Sequence, residues 1–184
     1  MQGRTVAVFG GSEHRAGSAC YEEAVEAARV LGEAGVAVAT GGYGGIMEAA
    51  SRGASEAGGR VLAVTTTAFA CHRPNRWAGE EVPGGDLFDR TRRLIGMADA
   101  FLLFPGRSGT LSEAFFVWAL VRAGQAAPRP TAAVGEGWSD LLSRMVEAGF
   151  LEPAARDSTR VHASGRMAAE WLVEEMAARA PRGD

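Results

Sequence analysis

Short continuous apolar runs alternate with longer amphipathic stretches along almost the whole chain. Thr5–Phe9, 36–39, 60–64, 100–104 and Thr131–Val134 are runs of four or five mostly apolar residues, the length of a buried strand. Between them, apolar residues recur at helical spacing over 18–33, 46–57, Leu87–Met97, 110–123 and 138–148, and a last amphipathic helix is predicted over 167–179. Ser18 is placed to cap the first helix, with Glu22 and Glu23 in its opening turn, while Gly35, Gly58-Gly59 and Gly149 mark stops. Thr159–His162 adds a last short strand, the tail 180–184 is expected to fray, and 65–86 is the longest irregular segment. Strands apolar on both faces, interleaved with helices, define an α/β fold. The expectation is a Rossmann-like doubly wound parallel sheet with helices on both faces, in a single domain spanning 1–184. Right-handed crossovers then collect the strand-to-helix turns on one edge, where such sheets bind ligands.

Three of those turns are glycine-rich: Gly10-Gly11-Ser12, Gly41-Gly42-Tyr43-Gly44-Gly45, and Gly106-Arg107-Ser108-Gly109-Thr110. Glycine admits positive φ and lets a ligand come close to the backbone. Any doubly wound sheet needs glycines in tight turns, so one such turn signifies little, whereas three on one edge favour a phosphate-bearing ligand. Gly-x-Gly-x-x-Gly is absent from the first turn, Met47 stands where the second would need its third glycine, and no acidic residue ends the second strand. A mononucleotide therefore fits better than a dinucleotide.

The third turn carries the most chemistry. An apolar strand ends in Pro105-Gly106, and a long apolar helix follows, so free N–H groups of the first helical turn make an anion site. Glu113 sits just inside it and has two readings. It is an acid/base beside the anion, or the fourth residue of a Thr110-Leu111-Ser112-Glu113 capping box. Arg90, with Arg92 and Arg93, is either a solvated helix face or part of a site. Tyr43 and Trp77 either stack on a base or pack.

Composition narrows the classes. The 184 residues are 47% apolar and 22% charged, with a formal net charge of −3, which argues against a nucleic-acid binder relying on a basic surface. No apolar run approaches the roughly 18 residues of a membrane span, and no signal peptide is evident, so a cytoplasmic protein is expected. Cys20 and Cys71 make no disulfide framework, and His14, His72 and His162 have no metal-ligand spacing. Neither metal nor cofactor is expected. The chain contains no lysine at all, which excludes a lysine Schiff base, hence pyridoxal-phosphate chemistry, and a Walker A ATPase.

The same residues resemble a known family. Val8-Phe9-Gly10-Gly11-Ser12 is similar to the opening of the LOG ("Lonely Guy") proteins, once widely labelled lysine decarboxylases. Their Gly-Gly-Gly-x-x-Gly-Leu-Met turn corresponds to Thr40 through Met47, and their Pro-Gly-Gly-x-Gly-Thr-x-x-Glu signature to Pro105 through Glu113. The family's catalytic arginine precedes Asp-Ala-Phe by nine positions, as Arg90 precedes Asp99. The resemblance implies a homodimer that cleaves the N-glycosidic bond of a nucleoside 5′-monophosphate, AMP or a cytokinin nucleotide. Arg90 and Glu113 would be catalytic, and Gly11, Ser12, Gly42, Tyr43, Gly44, Gly106, Arg107, Ser108, Gly109 and Thr110 would bind substrate. The chain departs from the pattern in two places. Arg107 replaces the second glycine of the signature, either as a new phosphate ligand or at a cost of about 1 kcal/mol if that glycine needs positive φ. Thr91 and Leu94 replace the Lys and Met of plant-type members, so a different base pocket is expected. Arg107 also keeps a second class open, a non-catalytic carrier or sensor of a nucleotide or other phosphorylated cofactor.

Overall fold

The computed structural model describes residues 3–69 and 73–179. The expectations placed on Cys71, His72 and the tail 180–184 lie outside the described residues. Seven strands form one parallel sheet: β1 (Thr5–Phe9), β2 (Ala37–Thr40), β3 (Val61–Thr66), β4 (Glu80–Gly84), β5 (Ala100–Leu103), β6 (Thr131–Val134) and β7 (Thr159–His162). Their order across the sheet is β4-β3-β2-β1-β5-β6-β7, so the winding direction reverses between β1 and β5. Loops leaving two adjacent strands in opposite directions open a crevice at such a point.

Side chains alternate across each strand, so each face takes every second residue. Val6, Val8, Val38, Leu102 and Phe104 pack under α1 (Ala19–Glu33), α2 (Ile46–Glu56) and α7 (Gly165–Ala177). Ala7, Phe9, Val64, Phe101 and Leu103 pack under α3 (Leu87–Met97), α4 (Ser108–Arg122) and α5 (Glu136–Glu147). Phe9 and Phe101 stack at 6.0 Å between neighbouring central strands. Ser18 caps α1, its hydroxyl accepting from the Tyr21 N–H at 3.4 Å. The α1–α2 pair is close-packed because Gly53 lies against the chain of α1: a Cβ there would sit 2.0 Å from the Val25 carbonyl oxygen.

Three local features differ from the sequence expectation. The 65–86 stretch is not irregular throughout, since it holds β4, paired in parallel with β3 from Leu62↔Glu80 to Thr66↔Gly84. Its sequence Glu-Glu-Val-Pro-Gly is mostly exposed and includes Pro83, a composition that only an edge strand tolerates. A five-residue helix, α6 (Pro153–Asp157), lies between α5 and β7 and opens on Pro153. Finally, α4 begins one turn earlier than a capping box would require. Arg107 is its N-cap and makes no side-chain cap hydrogen bond, and Thr110 is already helical and buried.

Among the described residues no helix is long and apolar enough to cross a membrane.

Candidate functional site

The three glycine turns converge at the β1/β5 reversal because each braces the next. Gly11 N–H donates to the Pro105 carbonyl at 3.0 Å, tying the first turn to the third. Ile46 N–H donates to the Gly11 carbonyl at 3.0 Å, tying the second to the first. Gly45 makes this approach possible. Its φ is +70°, and a Cβ would fall 2.4 Å from the Gly11 carbonyl oxygen. Between the turns lies a cleft of about 470 Å³.

Its walls divide by chemistry. Gly11, Ser12, Ser108, Gly109 and Thr110 line one end, where α4 begins and its unpaired N–H groups are available to an anion. Tyr43, Met47 and Leu87 line another part and present mainly carbon. Arg90 and Glu113 stand in the wall between, with Arg107 and Glu13 also on the lining.

Arg90 reaches the cleft from α3. Its Nε donates to the Val64 carbonyl at 3.0 Å, which fixes the plane of the guanidinium, and the group lies 5.9 Å from the Tyr43 ring centroid. Its Nη1 is 3.6 Å from a Glu113 carboxylate oxygen, and the two side chains are 9% and 14% exposed. A buried arginine cannot shed its charge, so an anionic partner is what makes this position tenable. Burial pushes the Glu113 carboxyl up to about 7 from an ordinary 4.5, with Arg90 pulling the other way. Removal from water thus outweighs the arginine, and the carboxyl is poised between its two protonation states at neutral pH. Such a group can accept and return a proton without a large driving force. The carboxylate faces Arg90 across the cleft wall rather than turning back to the helix start, which displaces the capping reading of Thr110-x-x-Glu113.

Arg107 requires no special backbone: its φ is −100°, extended and unstrained. The expected conformational cost is therefore absent. The side chain is 82% exposed, and its Nε lies 3.5 Å from Glu13.

Nine of the residues singled out in the sequence line the cleft, and Gly42, Gly44 and Gly106 do not. Gly42 has φ +77° and turns its missing Cβ toward Ala63, so it shapes the turn from behind. Gly44 faces open space. Gly106 is pinned beneath Thr110, where a Cβ would be 2.2 Å from Oγ1, and lines a smaller apolar hollow with Trp138 and Leu141. Sequence reasoning missed Glu13 and Leu87 and named Gly41, Gly45 and Met47 only as members of the second turn, with no role of their own. Gly41 is the most demanding of these: a Cβ there would lie 1.4 Å from Arg90 Nη2. It also missed Asn75. This side chain donates to the Gly42 and Tyr43 carbonyls, both at 3.0 Å, and holds the second turn from the far side. Tyr43 Oη meets the Thr66 backbone at 3.3 Å, fixing the ring beside Arg90. Trp77 does not line the cleft; it packs under the Arg76 guanidinium at 4.6 Å. Among the described residues no three His, Cys, Asp or Glu side chains group as metal ligands.

Fold and cleft define a doubly wound α/β protein with glycine-rich turns and a buried Arg–Glu pair at its winding reversal. The chain belongs to the LOG family: residues 47–172 match the family model described as "possible lysine decarboxylase". A rice protein (Oryza sativa subsp. japonica) described as a probable cytokinin riboside 5′-monophosphate phosphoribohydrolase is 30% identical over 163 residues, 84% of this chain and 70% of its own. A second rice protein of the same description is 30% identical over 159 residues, 83% of this chain and 65% of its own. Among solved structures, the molybdenum cofactor binding protein of Rippkaea orientalis superposes with a TM-score of 0.73 at 22% identity, covering 95% of this chain and 98% of that one. The molybdenum cofactor carrier protein of Chlamydomonas reinhardtii gives 0.71 at 20% identity, covering 97% and 100%. At such identities these likenesses establish the fold.

Proposed function

We propose that the cleft binds a nucleoside 5′-monophosphate and hydrolyses its N-glycosidic bond, giving free base and ribose 5-phosphate. The observation that carries this reading is the buried Arg90–Glu113 pair standing between an anion-binding helix start and an apolar recess. The phosphate takes the N–H groups of Ser108, Gly109 and Thr110, with Ser12 beside them and Gly11 allowing close approach, and the base lies against Tyr43, Met47 and Leu87. The ribose then falls beside Glu113. As the bond from C1′ to the base nitrogen breaks, its electron pair leaves with the base and the sugar gains oxocarbenium character. The Glu113 carboxylate stabilises that charge and takes a proton from the water that attacks C1′, and the proton passes on to the departing base. Arg90 holds the carboxylate in place. Without any lysine, the chain cannot form the Schiff base that the decarboxylase label of its family model implies.

The pH profile tests the roles. With Glu113 acting in its ionised form, kcat/KM for AMP rises as pH increases through about 7 and then levels. A profile flat from pH 5 to 9 contradicts the assignment.

A homodimer belongs to the same reading. Although α4 is apolar around most of its circumference, only Thr110, Ala114, Val117 and Trp118 are buried, leaving Phe115 and Phe116 36% and 38% exposed. A second copy seated on this face would cover them. Light scattering is expected to give a dimer for the wild type and a monomer for Phe116→Glu; a monomeric wild type contradicts the interface.

The second class, a carrier of a phosphorylated cofactor, draws on the fold neighbours described as molybdenum cofactor binding and carrier proteins. It predicts nucleotide or cofactor binding with no base release and no change on Glu113→Gln.

A further inference from the structure

Two charged residues of the cleft lining, one in the first turn and one in the third, meet each other. Arg107 follows Gly106 at the start of α4, and Glu13 follows Ser12 in the first turn. The 3.5 Å contact between them spans the mouth of the cleft. Arg107 adopts ordinary extended backbone, so glycine's freedom is not needed there and its side chain is the distinguishing feature. The Glu13 side chain is 34% exposed. It folds back over Gly11, so closely that a Cβ on that residue would lie 2.4 and 2.7 Å from its two oxygens. Gly11 N–H is bonded to the Pro105 carbonyl. The carboxylate therefore rests where the first and third turns join, on the cleft lining that also holds Ser108, Gly109 and Thr110. A carboxylate supplied by the chain thus already stands on the lining that the ligand's phosphate would share.

We propose that Glu13 is a resident anion that the ligand's phosphate replaces, with Arg107 passing from the carboxylate to the phosphate. The inference rests on the nucleotide reading above and specifies what sets affinity in that site. A phosphate dianion carries twice the charge of the carboxylate and accepts a forked pair of guanidinium N–H bonds, so it wins the exchange. A ligand without a phosphate leaves the Glu13–Arg107 pair as it is. Glu13 thus lowers phosphate affinity by holding Arg107 and by like-charge repulsion, and Arg107 returns that affinity once released. At a half-exposed mouth each such charge interaction amounts to about a tenfold change in dissociation constant, shrinking as salt is raised.

The experiment is a double-mutant cycle read by calorimetry at low salt, using ribose 5-phosphate as a probe that is not turned over and adenosine as the phosphate-free control. Glu13→Gln is expected to tighten ribose 5-phosphate about tenfold and to leave adenosine within about twofold. Arg107→Gly weakens ribose 5-phosphate about tenfold, and adding Glu13→Gln to it recovers no more than about threefold, because no guanidinium remains to be released. Equal binding by wild type and Glu13→Gln, or the same tightening in both backgrounds, overturns the exchange. If AMP is still cleaved in that case, the exchange alone has failed. Absence of ribose 5-phosphate binding by all four proteins, with circular dichroism unchanged, ends the exchange and the nucleotide reading together.

Discussion

Glu113→Gln is expected to slow base release from AMP by about 10²–10⁴-fold while making the protein more stable at pH 8. Both effects have one origin. Burial holds the Glu113 carboxyl at about 7 in the folded chain, against 4.5 in water. The folded protein therefore keeps this proton over a pH range in which the unfolded chain has released it. Stability contributed by the group is fully present below 4.5 and is lost as pH rises toward 7, because the native state must then hold a buried carboxylate. The amide has no proton to lose. Its gain over the wild type is about 1–3 kcal/mol at pH 8, the lower figure reflecting Arg90's lost partner, and vanishes near pH 4. Thermal melts of both proteins at the two pH values check the sign. A variant less stable than wild type at pH 8 would mean that the Arg90–Glu113 attraction outweighs the burial cost. Inactivation accompanied by stabilisation is the signature of a residue kept for chemistry.

Gly41→Ala is expected to reduce kcat/KM for the same substrate by about 10²-fold with the fold intact. Its added Cβ occupies the space of the Arg90 guanidinium, at 1.4 Å from Nη2 and 2.7 Å from Met47 Sδ. One of the two must yield, and Arg90 is anchored at the Val64 carbonyl and faces Glu113. Rotating the guanidinium away leaves Glu113 buried without its cation, so the kinetic pKa near 7 moves upward in this variant. That shift separates displacement of Arg90 from a general loss of folded protein, which lowers activity at every pH alike.

Continuous apolar runs made the central strands legible, because a strand covered on both faces must be apolar at every position. β4 escaped for the complementary reason: on the sheet's edge, exposed Glu80, Glu81 and Pro83 carry none of that signal. Turn spacing alone drew attention to Pro105–Glu113, but Thr110-x-x-Glu113 satisfied a capping pattern that the helix does not use. Starting at Ser108, α4 leaves Glu113 free to meet Arg90, a partner 23 positions away in sequence. Only the family spacing pointed to that arginine, since a helix carrying Arg90, Arg92 and Arg93 looks like any solvated face. Gly41, Glu13 and Asn75 were beyond reach for a simpler reason. What each does depends on a neighbour brought close by folding, the guanidinium at Gly41, Arg107 at Glu13 and the Gly42–Tyr43 carbonyls at Asn75.

The most direct measurement follows AMP and the other nucleoside 5′-monophosphates with the purified wild-type protein by proton NMR. The account predicts free base and ribose 5-phosphate appearing in equal amounts from at least one nucleotide, and neither from the corresponding nucleoside at a comparable rate. A folded, dimeric protein that releases no base from any of them contradicts it.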